Sequence, residues 1–220
     1  MYLEKLKLHN FRCYEKLEID FNRQLTVLVG KNGSGKTTVL EAIAIALGTW
    51  FVGFNIVNAK GINKRTDPLR KAYQIGATDD VQTQFPVEIE AWGKIEESKD
   101  QILHWKRELY TPTGTMTTKD AKEIVEYAAE YQKAISEGRT DIYLPMVAYY
   151  GTGRLWDYHR QKRTDVFKVS SRTNGYIDCL DGTANVKLMM DWFQIMTINK
   201  YQRQEENLES NPELDTVYLA

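Results

Sequence analysis

The sequence predicts an α/β fold with an antiparallel β subdomain and a helical insertion. Three observations lead there. "LTVLVG" (25–30) is a continuous apolar run that passes through the Gly-rich "KNGSGKTT" (31–38) into "VLEAIAIAL" (39–47), whose apolar residues recur at helical spacing. "TQFPVEIEAWGKI" (83–95) and "QILHWKRELY" (101–110) both alternate and flank a short charged turn, which reads as an antiparallel hairpin. Between Thr117 or Thr118 and Gly138, residues Ala121, Ile124, Val125, Ala128, Tyr131 and Ile135 mark one helix face, with a threonine cap at the start and glycine at the end.

In chain order, residues 2–8 alternate and read as a strand, as does "EKLEIDF" (15–21), with "NRQ" as the following turn. "LTVLVG" suits a strand buried on both faces. The next helix carries Val39, Leu40, Ile43, Ala44 and Leu47, and Gly48 is its expected stop. Residues 49–79 have no clean period, and the basic part with Lys60, Lys64, Arg65, Arg70 and Lys71 reads as a mobile surface loop. "IYLPMVAYYG" (142–151) reads as another buried strand. Asp181 precedes a second strong helix with Val186, Met189, Met190, Phe193 and Met196 on one face.

The 220 residues, 42% apolar and 27% charged, are those of an ordinary globular protein. A net charge of −1 supplies no global field toward nucleic acid or membrane. Cys13 and Cys179 lack CxxC spacing and His9, His104 and His159 stand singly, so no metal-ligand cluster is legible. The start has no apolar stretch of signal-peptide type, and the apolar segment 39–57 contains Glu41 and Asn55, which favours a buried helix over a membrane span. The expected location is cytoplasmic, with no membrane partner.

Gly30, Gly35, Lys36 and Thr37 satisfy G-x-x-x-x-G-K-[ST], the Walker A phosphate-binding loop. Glycines permit backbone dihedrals closed to other residues and close approach to phosphate. Backbone N–H groups of Asn32, Gly33, Ser34, Gly35, Lys36, Thr37 and Thr38 would form an anion cradle at a helix N-terminus. Lys36 would meet the β- and γ-phosphates of ATP, and the Thr37 hydroxyl would ligate Mg²⁺. From residue usage, a chance match in such a chain is on the order of one in a hundred. Its placement between a strand-like and a helix-like run makes chance rarer still.

"LKLHNFRCYEKLEIDF" before "VLVGKNGSGKTTVLEAIAIAL" resembles the opening of RecF, SMC and related ABC-type ATPase heads. There a turn of the form N-F-(K/R)-x-(F/Y) precedes the loop; here it is Asn10, Phe11, Arg12, Cys13 and Tyr14. The resemblance implies that Arg12 lies against the base or phosphates of ATP. "LPMVAYYGTGRLW" (144–156) and "SSRTNGYIDCLDGTANVKLMMDWF" (170–193) are similar to a bacterial family of ATP-binding proteins that includes the Septu defence ATPase PtuA, partnered by an HNH nuclease. "YYGTGR" stands where such heads carry a glutamine loop, which implies that Arg154 faces the γ-phosphate or a partner head.

By this resemblance residues 1–220 are the N-terminal part of one head: a loop core at 1–50, a β subdomain at 80–110, a helical insertion at 117–138, and a strand, basic loop and helix at 142–200. No run of four apolar residues followed by Asp-Glu and no L-S-x-G-like signature segment is found in the sequence. The resemblance places both beyond residue 200, so the expectation is ATP binding without turnover by these residues, and a marginally stable chain. Three functions remain open: a defence ATPase that dimerises around ATP and works with a nuclease effector, a RecF- or SMC-like DNA repair ATPase, and a non-hydrolysing nucleotide-dependent interaction module. For DNA, residues 154–172 hold six Lys/Arg against two Asp with aromatics interleaved, and Arg160, Lys162 and Arg163 are the candidate contacts.

Overall fold

A computed structural model describes residues 1–54, 59–75, 78–96, 101–155, 172–183 and 186–205. They divide into two units, Met1–Ala148 with Thr173–Leu180, and Tyr149–Arg172 with Asp181–Ala220. The fold is α/β.

In the first unit, β1 (Tyr2–Phe11), β2 (Tyr14–Asp20), β5 (Val87–Lys94) and β6 (Leu103–Leu109) form one antiparallel sheet in the order β2-β1-β5-β6. Alternation is the cause. Leu8 pairs with Ile89 and Leu6 with Ala91, and Ala91 pairs in turn with Trp105, all on a buried face. The opposite face is a charge ladder in which Lys5 and Lys7 both reach Glu18, and Lys106 bridges Glu88 and Glu108. β3 (Arg70–Ile75) and β4 (Thr78–Thr83) pair as a separate, largely exposed two-stranded sheet.

Helix α1 (Lys36–Phe51) crosses the buried face, where the Trp105 indole N–H donates to the Ala46 carbonyl at 2.9 Å. Its small residues Ala42, Ala44 and Ala46 are buried, which lets the helix approach closely. The helix does not stop at Gly48; a Cβ there would stand 2.7 Å from the Lys60 carbonyl, so this glycine serves close packing inside the helix. The buried stripe is also rotated from the expected one, for Leu40 is 41% exposed while Ile45 and Thr49 are buried. Helix α2 (Lys122–Ser136) follows a 3-10 turn at Lys119–Ala121, the Thr117 hydroxyl accepting from the Lys119 N–H at 3.0 Å. It buries Ile124, Ala128 and Ala134, and Gly138 with φ 78° ends it. Tyr131 of α2 meets Trp50 of α1 edge-on at 5.3 Å. None of the helices among the described residues is long and apolar enough to cross a membrane.

Residues 49–79, which lack a clean period and whose basic part is expected to be a surface loop, hold regular and buried structure in part. α1 continues to Phe51; Phe54, Ile62 and Asp67 are buried; and residues 70–75 are a strand. The region from 144 and the "TNGYIDCL" segment acquire a packing role. The Tyr176 ring meets Phe51 at a tilt and Phe54 edge-on, at 4.8 and 5.5 Å, and its hydroxyl donates to the Pro145 carbonyl at 2.7 Å.

Two expected strands do not form. Residues 25–30 enter no ladder, and Leu25, Val27 and Val29 are 72%, 68% and 90% exposed. Residues 142–150 likewise belong to no ladder, with Tyr143 and Met146 exposed. A strand is held by bonds to a neighbour, and an apolar run without a neighbouring strand remains an open segment.

In the second unit, Gly151 packs on Gly182, and α3 (Val186–Glu205) is the main element. Met190 is exposed, whereas Phe193 and Met196, expected on the same face, are half-buried.

Candidate nucleotide site

Three stretches meet around the Gly-rich loop: the loop itself, the first turn of α1, and the β1–β2 turn. Gly33 and Gly35 have φ 80° and 88°, the left-handed region in which glycine pays no Cβ penalty. Between them the Ser34 N–H donates to the Lys31 carbonyl at 3.2 Å, tightening the loop. Gly35 is the N-cap of α1, and the first helical turn carries no acid, so the positive end of the helix is uncancelled there.

The Lys36 ammonium folds back over the loop. It donates to the Gly30 and Lys31 carbonyls, both at 2.7 Å, and to Ser34 Oγ at 3.4 Å. An ammonium has three donors, so all three are engaged, the last of them weakly. Asn32, Gly33, Ser34 and Thr37 are exposed, whereas Thr38 is buried under the Cys13 thiol, 3.6 Å from its hydroxyl. The seven expected cradle residues are consecutive, from Asn32 in the loop to Thr38 in the first turn of α1.

Arg12 sits in the adjoining turn at φ 51°, a strained value for a residue with a side chain. Asp67 holds it there. Its carbonyl accepts the Arg12 N–H at 2.6 Å and its Oδ1 accepts Arg12 Nε at 2.8 Å. Asp67 is 1% exposed, and its Oδ2 also accepts the Asn63 N–H at 2.7 Å. Asp67 lies within the basic segment expected to be a mobile loop, and nothing local announces a partner 55 positions away.

Tyr14 is the other residue whose role was missed. Its hydroxyl donates to the Ser34 carbonyl at 3.0 Å, and its ring covers Gly35. The aromatic in "NFRCY" was visible, but not what it touches. Burial, with a smaller effect from Cys13, pushes its pKa above the ordinary tyrosine value. Arg154 lies in a 3-10 turn at Thr152–Leu155, in the other unit, and its side chain is outside the described residues. Arg160, Lys162 and Arg163 lie outside the described residues.

A protein-family model described as an AAA domain matches residues 5–217. Among curated proteins, RecF, the DNA replication and repair protein of Clostridium acetobutylicum, is 51% identical over 43 residues, 20% of this chain and 12% of that protein. The DNA double-strand break repair Rad50 ATPase of Methanopyrus kandleri is 53% identical over 45 residues, 20% of this chain and 5% of that protein. Structural maintenance of chromosomes protein 6 of Saccharomyces cerevisiae is 47% identical over 47 residues, 21% of this chain and 4% of that protein. The matches therefore span a small part of each relative's length. A solved structure from work on ATP-driven dimerization and DNA-stimulated activation of SMC ATPases aligns with 59% of this chain and 80% of that one, at 23% identity and a TM-score of 0.36.

Proposed function

The chain belongs to the AAA domain family, and from that premise we propose that it is the ATP-binding part of an ABC/RecF-like ATPase head. The observation that carries this reading is the Gly-rich loop at the uncancelled N-terminus of α1, with Lys36 over the loop and Thr37 exposed beside it. The cradle fits a polyphosphate. Left-handed glycines turn the backbone, and an anion would replace the longest Lys36 contact, that to Ser34 Oγ. Lys36 would hold the β- and γ-phosphates and Thr37 would supply a hydroxyl to Mg²⁺. The bound Mg²⁺ neutralises charge on the phosphates. Arg12, anchored by Asp67, would border the nucleotide.

The whole protein would hydrolyse ATP as a dimer of heads, with Arg154 turned to the γ-phosphate or the partner head. The present residues would bind without turnover, because no paired acid follows an apolar run in their sequence. The open segments 25–30 and 142–150 support the view that further strands of the full protein complete a sheet around the loop. The finer reading, a role in phage defence beside a nuclease effector, rests on the resemblance of residues 144–156 and 170–193. A second reading, a DNA repair ATPase with Arg160, Lys162 and Arg163 on DNA, draws support from the RecF and Rad50 relatives.

The test is a titration of fluorescent ATP with Mg²⁺ into the chain and its Lys36→Ala variant. Binding lost with Lys36 is the expected result; equal binding by the variant would overturn the reading.

A further inference from the structure

Tyr14 touches the loop at the peptide that joins Ser34 to Gly35. The Ser34 carbonyl accepts its hydroxyl at 3.0 Å. On the next residue, a Cβ at Gly35 would stand 2.3 Å from Tyr14 Oη and 2.7 and 2.8 Å from Cζ and Cε2. Both contacts act on one peptide unit, whose two polar ends are the Ser34 C=O and the Gly35 N–H. In a planar trans peptide these ends point in opposite directions. Holding the carbonyl on Tyr14 therefore turns the Gly35 N–H away from the β1–β2 turn.

The backbone alone would not make this choice. Glycine accepts positive and negative φ about equally, so a peptide entering Gly35 rotates at little cost. An anchor outside the loop is needed to select one face, and Tyr14 is mounted rigidly enough to serve. It pairs with Phe11 at the end of the β1–β2 ladder, Phe11 is fully buried, and the intervening Arg12 is held by Asp67. A second strut lies alongside, where the Cys13 thiol meets the Thr38 hydroxyl. Support from the hairpin matters more because residues 25–30, which lead into the loop from the other side, enter no ladder. A tyrosine phenol is protonated at neutral pH and burial shifts its pKa further upward, so Tyr14 remains a donor.

We propose that Tyr14 is a positioning residue of the loop, its hydroxyl and ring selecting the orientation of the Ser34–Gly35 peptide that presents the Gly35 N–H to a polyphosphate. The inference rests on the nucleotide reading above, and it extends that reading from the loop to the sheet. The β1–β2 hairpin sets the geometry of the cradle.

The test uses the 220-residue chain, its Tyr14→Phe variant and its Lys36→Ala variant. Inorganic pyrophosphate with Mg²⁺ is the probe, followed by calorimetry and by the amide resonance of ¹⁵N-labelled Gly35. Tyr14→Phe keeps the ring over Gly35 and removes only the hydrogen bond. Pyrophosphate affinity should fall about threefold to tenfold, the worth of one such bond. The Gly35 resonance of the ligand-free variant should move, with the thermal midpoint falling by no more than about 5 °C, the worth of the one bond lost. In the unsubstituted chain, pyrophosphate should shift the Gly35 amide, which tests the inference even if the variant fails to fold. Wild-type affinity and an unmoved Gly35 resonance in Tyr14→Phe, together with loss of binding in Lys36→Ala, would overturn the role of Tyr14 alone. Undiminished binding by Lys36→Ala would overturn the nucleotide reading and this inference with it.

Discussion

Replacing Gly35 by alanine separates two costs that the loop geometry predicts. The first is conformational: at φ 88° an L side chain pays about 1 kcal/mol. The second is steric and comes from Tyr14, whose Oη would lie 2.3 Å from the new Cβ. The ring must swing out, forfeiting its bond to Ser34 at about 0.5–1.5 kcal/mol and part of its packing. The expected total is about 2–3 kcal/mol. Gly33→Ala is the control, since its φ is 80° but a Cβ there meets nothing within 4 Å. It should cost the conformational part alone, about 1 kcal/mol. Urea denaturation followed by circular dichroism measures both variants, and Tyr14→Ala closes a double-mutant cycle with Gly35→Ala. The steric part should vanish in the double variant, a coupling well above the ~0.5 kcal/mol expected of independent sites. Equal costs for Gly33→Ala and Gly35→Ala, or strict additivity with Tyr14→Ala, would refute the packing of Tyr14 on the loop.

Two further outcomes test the rest of the first unit. Val29 is 90% exposed, so Val29→Lys should change the urea stability of this chain by no more than about 0.5 kcal/mol; a loss near the ~1.5–3 kcal/mol of a buried valine would show that residues 25–30 are packed after all. Arg107 is 3% exposed, its Nε and Nη1 have no hydrogen-bond partner among the described residues, and burial pushes its pKa down to about 10. Its folded pKa lies below the ordinary 12.5, so the charged form penalises folding throughout the neutral range, and the penalty lifts only as pH rises through about 10. Arg107→Met should therefore raise stability by about 1–3 kcal/mol, and a fall in the urea midpoint would show that the guanidinium is compensated.

Where a reading of element type needed only neighbours in sequence, it agrees with the structure, although α1 runs past Gly48 and buries a rotated stripe. β1, β2, β5 and β6 follow from alternation, and α1 and α2 from helical spacing, because each pattern is a property of a few adjacent residues. The Walker A pattern is the most local of all, since its residues all lie between Gly30 and Thr38. Misreadings came where a residue depends on something distant. The runs at 25–30 and 142–150 have strand composition, yet a ladder is made by two segments, and neither run has a neighbouring strand among the described residues. β3 and β4 were missed for the converse reason, their pairing rather than their composition making them strands.

The sequence by itself determined the chemistry on offer: glycines where the backbone must turn, a lysine and two threonines at a helix start, and no paired acid to follow. Those are identities and local spacings, and local sterics decide them. Only the tertiary structure decided what surrounds that chemistry. It set Asp67 against Arg12, Tyr14 against the Ser34–Gly35 peptide, and Arg107 in a buried place where its Nε and Nη1 find no hydrogen-bond partner among the described residues. Such pairings follow from how the hairpin, the loop and α1 pack together, and packing depends on residues brought close by the whole chain.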